Sequence, residues 1–577
     1  MPPFIRSTVR SLTASLLLAV AFAATAGTPP AAAVVTAHPL ATAAGREILE
    51  AGGNAFDAAV AVSAALGVVE PYGSGIGGGG FWLLHRAADG SNVMIDGRER
   101  APLAATADMY LDADGKPRRQ ASLDGALAAA VPGAPAAWAH IAERYGRLPL
   151  ARSLAPAIRL AREGFPIDEH YRQMARLRLA ALQRDARAAA IFLADGEVPP
   201  TGWRLRQPDL ARTLERLAAE GRRGFYEGPV AEQLVAAVRA AGGIWTREDL
   251  ADYEVVERAP IVGYYRGVRI ISAPPPSAGG IGLVTMLNVL VAYELDQLPA
   301  ATRVHLIAEA MRRAYRDRAA YLGDPDFVAI PSKLLLDPAY GRGLAQSIRL
   351  DRATPSEALA PAVAETAGGA DTTHFSILDA EGNRVAGTLS INYMFGAGAV
   401  AGDTGVLLNN EMDDFASGIA VPNGYGLVGT PANAIAPGKR PLSSMTPTFL
   451  ETADRVAILG TPGGSRIITM VLLATLAFAD GLPPQEWVAL GRFHHQYQPD
   501  VIQYEPGGLS PALRDELAAL GHTLKPVGRR YGDMQAILWD RANQRVQAVS
   551  DPRGIGRGEV FRPNPATAAT SAADASR

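Results

Sequence analysis

The stretch Asp371-Thr372-Thr373-His374-Phe375-Ser376 sets a threonine hydroxyl immediately before a β-prone run. A threonine hydroxyl is a weak nucleophile until a neighbouring base takes its proton. Nothing in this motif supplies such a base while Thr372 is internal. Cleavage of the Asp371–Thr372 bond would supply one, because a freed threonine carries its own α-amine. That amine titrates near ~7.7–8.0 and is partly neutral at physiological pH. One cut therefore exposes the nucleophile and creates its base. The hydroxyl can make the cut itself, by attacking the preceding carbonyl to give an ester that water opens. Taken singly, Thr372 could also be an ordinary strand threonine.

Other patterns carry less chemistry. Gly73, Gly75 and Gly78, and again Gly424, Gly426 and Gly429, match a loose dinucleotide-loop spacing. The first set runs into strand-like Phe81-Trp82-Leu83-Leu84 where such a loop would open a helix, and the second sits in a proline- and glycine-rich loop. His494 and His495 are adjacent, so on a strand they face opposite ways, and no third ligand is spaced nearby. They read as surface or packing residues. The chain has no cysteine, which removes disulfides, thiolate nucleophiles and cysteine metal sites together.

The elements around Thr372 are legible from periodicity. Thr373 to Leu378, the turn Asp379-Ala380-Glu381-Gly382-Asn383, and Arg384 to Ile391 predict a β-hairpin with Thr372 at the start of its first strand. Pro39 to Val68 reads as two alanine-rich helices broken at Gly52-Gly53. Further helices are expected over Ala134 to Tyr145, Arg152 to Glu163, Val230 to Ala241 and Arg303 to Tyr321. Strands are expected at Phe81 to His85, Val268 to Ser272, Val456 to Leu459 and Gln535 to Leu538. Helices and strands interleave, so the architecture is layered α/β, without a fixed-period repeat.

Composition sets bounds and names no partner. A chain of 577 residues with 48% hydrophobic content buries a core large enough to need no disulfides. A formal charge of −3 shows no bias toward nucleic acid or anionic membranes. Arg6 and Arg10, the apolar run Leu12 to Ala24 and small residues at Ala24-Thr25-Ala26 form a secretory leader pattern, giving 1–26 as a signal peptide. The mature protein is then exported, periplasmic or secreted, with no membrane span left after leader removal. Ala566 to Arg577 reads as a disordered tail.

Several motifs resemble, in order along nearly the whole mature chain, the γ-glutamyltranspeptidase family of N-terminal nucleophile hydrolases. They are Gly75-Ile76-Gly77-Gly78-Gly79-Gly80-Phe81, Pro274 to Gly280, Asp371 to Ser376, Asn409 to Phe415, Lys439 to Met445 and Thr461-Pro462-Gly463-Gly464-Ser465-Arg466. The resemblance implies a four-layer αββα fold and cleavage into a large subunit, 27–371, and a small subunit, 372–577, intertwined as a heterodimer. It implies transfer of a γ-glutamyl group from glutathione-like donors to water or to amino-acid and peptide acceptors, through a γ-glutamyl-Thr372 ester and without metal or cofactor. By similarity, Ser390 places a hydroxyl beside Thr372, where the family commonly has threonine. The backbone N–H groups of Gly463 and Gly464 hold the oxyanion, as glycine's open backbone allows. Arg98 receives the donor α-carboxylate, to which a guanidinium fork is matched, and Ser443 and Ser444 add hydroxyls. Asn392, Glu411 and Asp414 receive the α-ammonium; Glu411 stands where bacterial relatives often have glutamine. Tyr425 lies in a loop, Ser417 to Gly438, that resembles the family's lid. Two rivals share some of these features: a glutaryl-cephalosporin acylase of the same fold, and an inactive exported binding protein. The acidic pair Glu411 and Asp414 speaks against the first, and the intact threonine, glycines and arginine against the second.

Overall fold

The computed structural model describes residues 27–359, 372–416, 423, 425–427 and 430–563. The expected leader, Asp371, much of the lid segment and the expected disordered tail lie outside the described residues. Thirteen strands build two large sheets. They are β1 (Ala32–Thr36), β2 (Gly79–Arg86), β3 (Ser91–Gly97), β4 (Val256–Arg258), β5 (Ile261–Tyr265), β6 (Val268–Ser272), β7 (Thr373–Leu378), β8 (Arg384–Ser390), β9 (Thr448–Glu451), β10 (Arg455–Gly460), β11 (Gln535–Asp540), β12 (Arg545–Ser550) and β13 (Arg557–Phe561). The first sheet has the order β13-β1-β7-β8-β2-β3-β4 and the second β12-β11-β10-β9-β6-β5. Every pairing in both is antiparallel.

Side-chain alternation along the strands creates three apolar layers. Ala33 and Val35 of β1 and Phe81 and Leu83 of β2 face the second sheet, where they meet Phe449, Ile458 and Ile537. Their neighbours Ala32, Val34, Trp82 and Leu84 face a helical layer that includes α1 (Pro39–Glu50) and α2 (Ala55–Val69). The far side of the second sheet is covered by α3 (Gly279–Leu290), α4 (Ala300–Tyr321) and α5 (Ile467–Ala479). The result is the expected αββα order, helix on sheet on sheet on helix.

The predicted break between α1 and α2 falls where Gly52 takes φ +89°, open to glycine and costly to other residues. Asn54 then caps α2 through a reciprocal box with Asp57, satisfying amides left without intrahelical partners. Every residue of α2 is buried, as expected of a helix apolar all round. The β7–β8 turn is pinned to this helix. Asp379 accepts from the Glu381 and Asn383 amides, each at 2.9 Å, and from the Ala55 amide at the start of α2, at 3.0 Å.

Strands on either side of residue 372 interleave within both sheets. β1 precedes that residue yet lies between β7 and β13, which follow it, and β6 likewise pairs with β9. A cut at the 371–372 bond therefore leaves both sheets hydrogen-bonded across the two pieces. The expected outcome is that the cut pieces co-elute as one particle in native size-exclusion chromatography and separate only in denaturant; separation in native buffer would contradict this topology.

Candidate active site

Thr372 is buried at the start of β7, in the middle of the first sheet. Its Oγ1 lies 3.4 Å from Oγ of Ser390, the last residue of the neighbouring β8. Ser390 Oγ also accepts from the Asn392 amide at 2.8 Å. The chain can turn that way because Asn392 takes φ +73°, a left-handed conformation that asparagine tolerates better than most residues. From behind, Ser390 is fixed by the glycine run: a Cβ on Gly78 would lie 2.1 Å from the Ser390 carbonyl oxygen, and one on Gly77 equally close to that of Leu407. These glycines are thus close-packing residues on the approach to β2. Thr373 points to the helical face, where its hydroxyl donates to Glu70 at 2.8 Å. His374 points between the sheets, against Gly460, and burial lowers its pKa to about 3, so it is neutral.

Gly463 and Gly464 sit at the start of the short helical turn Gly464–Arg466 that leads into α5. Amides at a helix start have no intrahelical acceptor and carry the positive end of the helix dipole. Both glycines have positive φ, +146° and +56°. A Cβ on Gly464 would strike the Tyr425 ring at 2.4 Å. Tyr425 itself stacks on Tyr393 with ring centroids 5.1 Å apart, and its hydroxyl donates to Asn392 Oδ1 at 2.5 Å. The part of the lid segment that is described therefore lies directly over Thr372's surroundings.

Arg98 follows β3 and is fully buried. Its backbone is clamped by Asp96 Oδ1, which accepts from the Arg98 amide at 2.9 Å, and by Tyr253, whose hydroxyl donates to the Arg98 carbonyl at 2.7 Å. Its guanidinium donates to Glu411 and Asp414, lies 3.6 Å from Glu99, and donates through Nε to the Pro441 carbonyl at 3.1 Å. The residues expected to take opposite charges of a ligand are thus ion-paired with one another. Burial drives Glu99, Glu411 and Asp414 above the usual carboxylate range; Glu411 adds to the rise at Glu99, while Arg98 opposes it in all three. Burial also acts against the charge of Arg98, but the three carboxylates outweigh it and raise its pKa.

A cavity of about 20 Å³ is lined by Thr372, Ser390, Asn392, Arg98, Glu411, Asp414, Tyr425, Ser443, Ser444 and Gly464. All the residues expected at the site meet there except Gly463, which adjoins Gly464. Ser443 is held by backbone bonds to the Pro274–Gly280 segment, its amide donating to Pro276 and its carbonyl accepting from Ala278. Sequence reasoning missed Arg318, which lines the same cavity and donates to Ser444 Oγ at 3.3 Å. It lies on α4 among other arginines, and nothing in the helix pattern marks which of them turns toward the site. Sequence reasoning also assigned nothing to Glu99, whose place in the site comes from its burial beside Arg98.

His494 and His495 are both buried and bond to Thr469, Gln496 and Asp500, which assigns them to packing. Among the described residues His305, Glu309 and His522 bring three possible metal-ligand atoms together. Glu309 is ion-paired with Arg312 and Arg313, and His305 uses both ring nitrogens, on His522 and on the Arg349 carbonyl. Glu309 and His305 are thus occupied by protein partners, and of the trio only His522 Nδ1 is left without one among the described residues.

Residues 41–561 match the sequence model of a family described as Gamma-glutamyltranspeptidase. A glutathione hydrolase proenzyme of Pseudomonas sp. (strain A14) is 46% identical over 85% of each chain, and one from Escherichia coli (strain K12) is 42% identical over 90% of each. Among solved structures, a cephalosporin acylase from Bacillus halodurans superposes with TM-score 0.80 at 29% identity, covering 92% of this chain and 96% of its own.

The Arg98 cluster has a stability signature that needs no substrate. Removing the guanidinium, as in Arg98→Met, takes the ion-pair partner from three buried carboxylates, a loss of about 3–5 kcal/mol. Their folded pKa values then rise further above the unfolded ones. The native state therefore binds more protons, and the deficit is largest well above the unfolded carboxylate range and shrinks as pH falls. Thermal midpoints of Arg98→Met should lag wild type most near pH 8 and least near pH 5; a pH-independent gap would contradict the charge account.

Proposed function

The chain belongs to the γ-glutamyltranspeptidase family, and from that premise we propose how its site works. The protein is a proenzyme of a γ-glutamyltransferase and glutathione hydrolase. The observation that carries the mechanism is the placement of Thr372 Oγ1, 3.4 Å from Ser390 Oγ, in one cavity with Arg98, Glu411 and Asp414.

In maturation, Thr372 Oγ1 attacks the carbonyl of Asp371. The peptide nitrogen leaves as the new α-amine, and water opens the resulting ester, yielding subunits 27–371 and 372–577. In turnover, that amine accepts the Oγ1 proton while Oγ1 attacks the donor's γ-carbonyl. Ser390 keeps the attacking oxygen in place through its hydroxyl. The Gly463 and Gly464 amides face the developing oxyanion. The proton passes to the leaving amine, and the γ-glutamyl ester is then taken by water or by the amine of an amino acid or peptide. The leader pattern supports an exported enzyme. No helix among the described residues is long and apolar enough to cross a membrane.

A cavity of about 20 Å³ holds roughly one water, so the donor enters by displacing Tyr425. A zwitterionic head group can then insert into the ion pair without stranding charge: its carboxylate replaces Glu411 and Asp414 on Arg98, and its ammonium takes the released carboxylates. A glutaryl donor has no ammonium. It would occupy Arg98 and leave Asp414 and Glu411 buried without an ion-pair partner, with Arg318 the cation still facing Asp414 in the cavity. That asymmetry favours the γ-glutamyl reading, although a neighbour in structure is a cephalosporin acylase.

Two experiments test this reading. Thr372→Ala should give a folded, uncut, inactive chain by intact-mass analysis, whereas Thr372→Ser keeps a hydroxyl and should still be cut, more slowly. Cleavage of the alanine variant at the wild-type bond would refute self-processing. In the second, Asp414→Asn strands the donor's ammonium, costing about 2–5 kcal/mol, or about thirty- to several-thousand-fold in kcat/KM for a γ-glutamyl anilide. A glutaryl anilide should be spared. Equal losses on both donors would make Asp414 structural.

A further inference from the structure

A second cavity, of about 780 Å³, opens at the opposite end of the sheet sandwich. It lies among the turns that close the β7–β8, β9–β10 and β5–β6 hairpins. Arg384, which begins β8, lines it, whereas Ser390, which ends the same strand, faces the nucleophile. Six residues at about 3.3 Å each put the two ends roughly 20 Å apart. This cavity is separate from the catalytic one.

Its charges do not balance. Arg269, Arg384 and Arg541 line it with Glu451. Glu451 spends one oxygen on Arg384, at 2.5 Å, and the other on Arg269, at 2.8 Å. The other carboxylate of the lining, Glu381, is paired with Arg147. Among the described residues no carboxylate pairs with Arg541, whose guanidinium lies over the Trp539 ring, 4.5 Å from its centroid. Burial pulls Arg384 down to about 10; Glu451 opposes the fall, and Arg541 and Arg269 add to it.

Its hydrogen bonds do not balance either. Arg384 is 1% exposed, and its Nε and Nη1 have no acceptor; neither does Arg541 Nε nor Trp539 Nε1. All four belong to residues that line one cavity but are closed off from its open space, so a ligand there meets them as the guanidinium groups turn toward it, while both oxygens of the central carboxylate are engaged. An unmet buried donor costs about 1–3 kcal/mol. A surplus of cations with unmet donors calls for a ligand that is negative and rich in acceptors. Guanidinium forks match the oxygens of phosphate and carboxylate, and the volume fits such a group carried on a small organic molecule.

We propose that this cavity is a binding site for a small dianionic oxyanion, a phosphate or phosphomonoester, held chiefly by Arg384 and Arg541. The test is calorimetric titration of the processed full-length enzyme with inorganic phosphate and, separately, phenyl phosphate, at ionic strength held constant with chloride. Arg541 is half-buried and outside every carboxylate pair, so Arg541→Met should fold, and retained γ-glutamyl anilide activity will verify it. Wild type should bind at least one of the two probes saturably at one site. Arg541→Met should weaken that binding at least tenfold, and Arg541→Lys should recover part of it. Binding of phenyl phosphate alone would identify the ligand as an organic phosphate; binding of both, as any phosphate of this size. No saturable binding of either by wild type, or equal affinity in wild type and Arg541→Met, would overturn the proposal.

Discussion

A buried guanidinium must be balanced, and Arg98 is balanced by residues more than three hundred positions away. Its side chain is fully buried, and its partners Glu411 and Asp414 come from the far side of the Asp371–Thr372 bond. Taking such charges out of water costs several kcal/mol per ion unless geometry and further hydrogen bonds repay it. The neighbourhood is accordingly over-determined. Asp96 orients the Arg98 amide, Tyr253 holds its carbonyl, and Asn409 positions Glu411 by accepting from its amide at 2.9 Å. This rigidity suits binding of a zwitterion, because the site already holds both signs of charge at fixed places and needs only to exchange partners.

A similar constraint governs Thr372. Thr372 opens a central strand, flanked by β1 on one side and β8 on the other. A new chain end at an edge would fray; here the strand behind it is hydrogen-bonded on both sides and its side chains are buried between two layers. Cleavage before Thr372, as proposed, would free the amine without loosening the hydroxyl. Glycines make the packing possible on each side: Gly78 against the Ser390 carbonyl, Gly460 against the His374 ring and Gly387 against the Phe375 ring. A side chain at any of them would push Thr372 or Ser390 out of register.

One hairpin therefore has two functional ends. Its open end carries Thr372 and Ser390. Its turn end, pinned by Asp379 to the start of α2, carries Arg384 into the basic cavity. An antiparallel pair of strands is stiff along its length, so what binds at the turn and what reacts at the open end share one rigid element.

Much of this was legible before any fold was known. The break at Gly52-Gly53, the β7–β8 hairpin with Thr372 at its head, and a layered α/β architecture follow from turn residues and periodicity, which are local; the αββα order came from the family resemblance. The residues expected at the site came from the family resemblance, and Thr372, Ser390, Arg98, Asn392, Glu411, Asp414, Ser443, Ser444, Tyr425 and Gly464 line one cavity. What local pattern could not carry is pairing across long sequence distance. That Arg98 is neutralised by Glu411 and Asp414, that Arg318 rather than another arginine of α4 reaches Ser444, and that Arg269, Arg384 and Arg541 converge with one carboxylate between them depend on which strands and helices become neighbours. Charge balance in a buried site is a sum over everything nearby in space, and only the tertiary structure decides which residues those are.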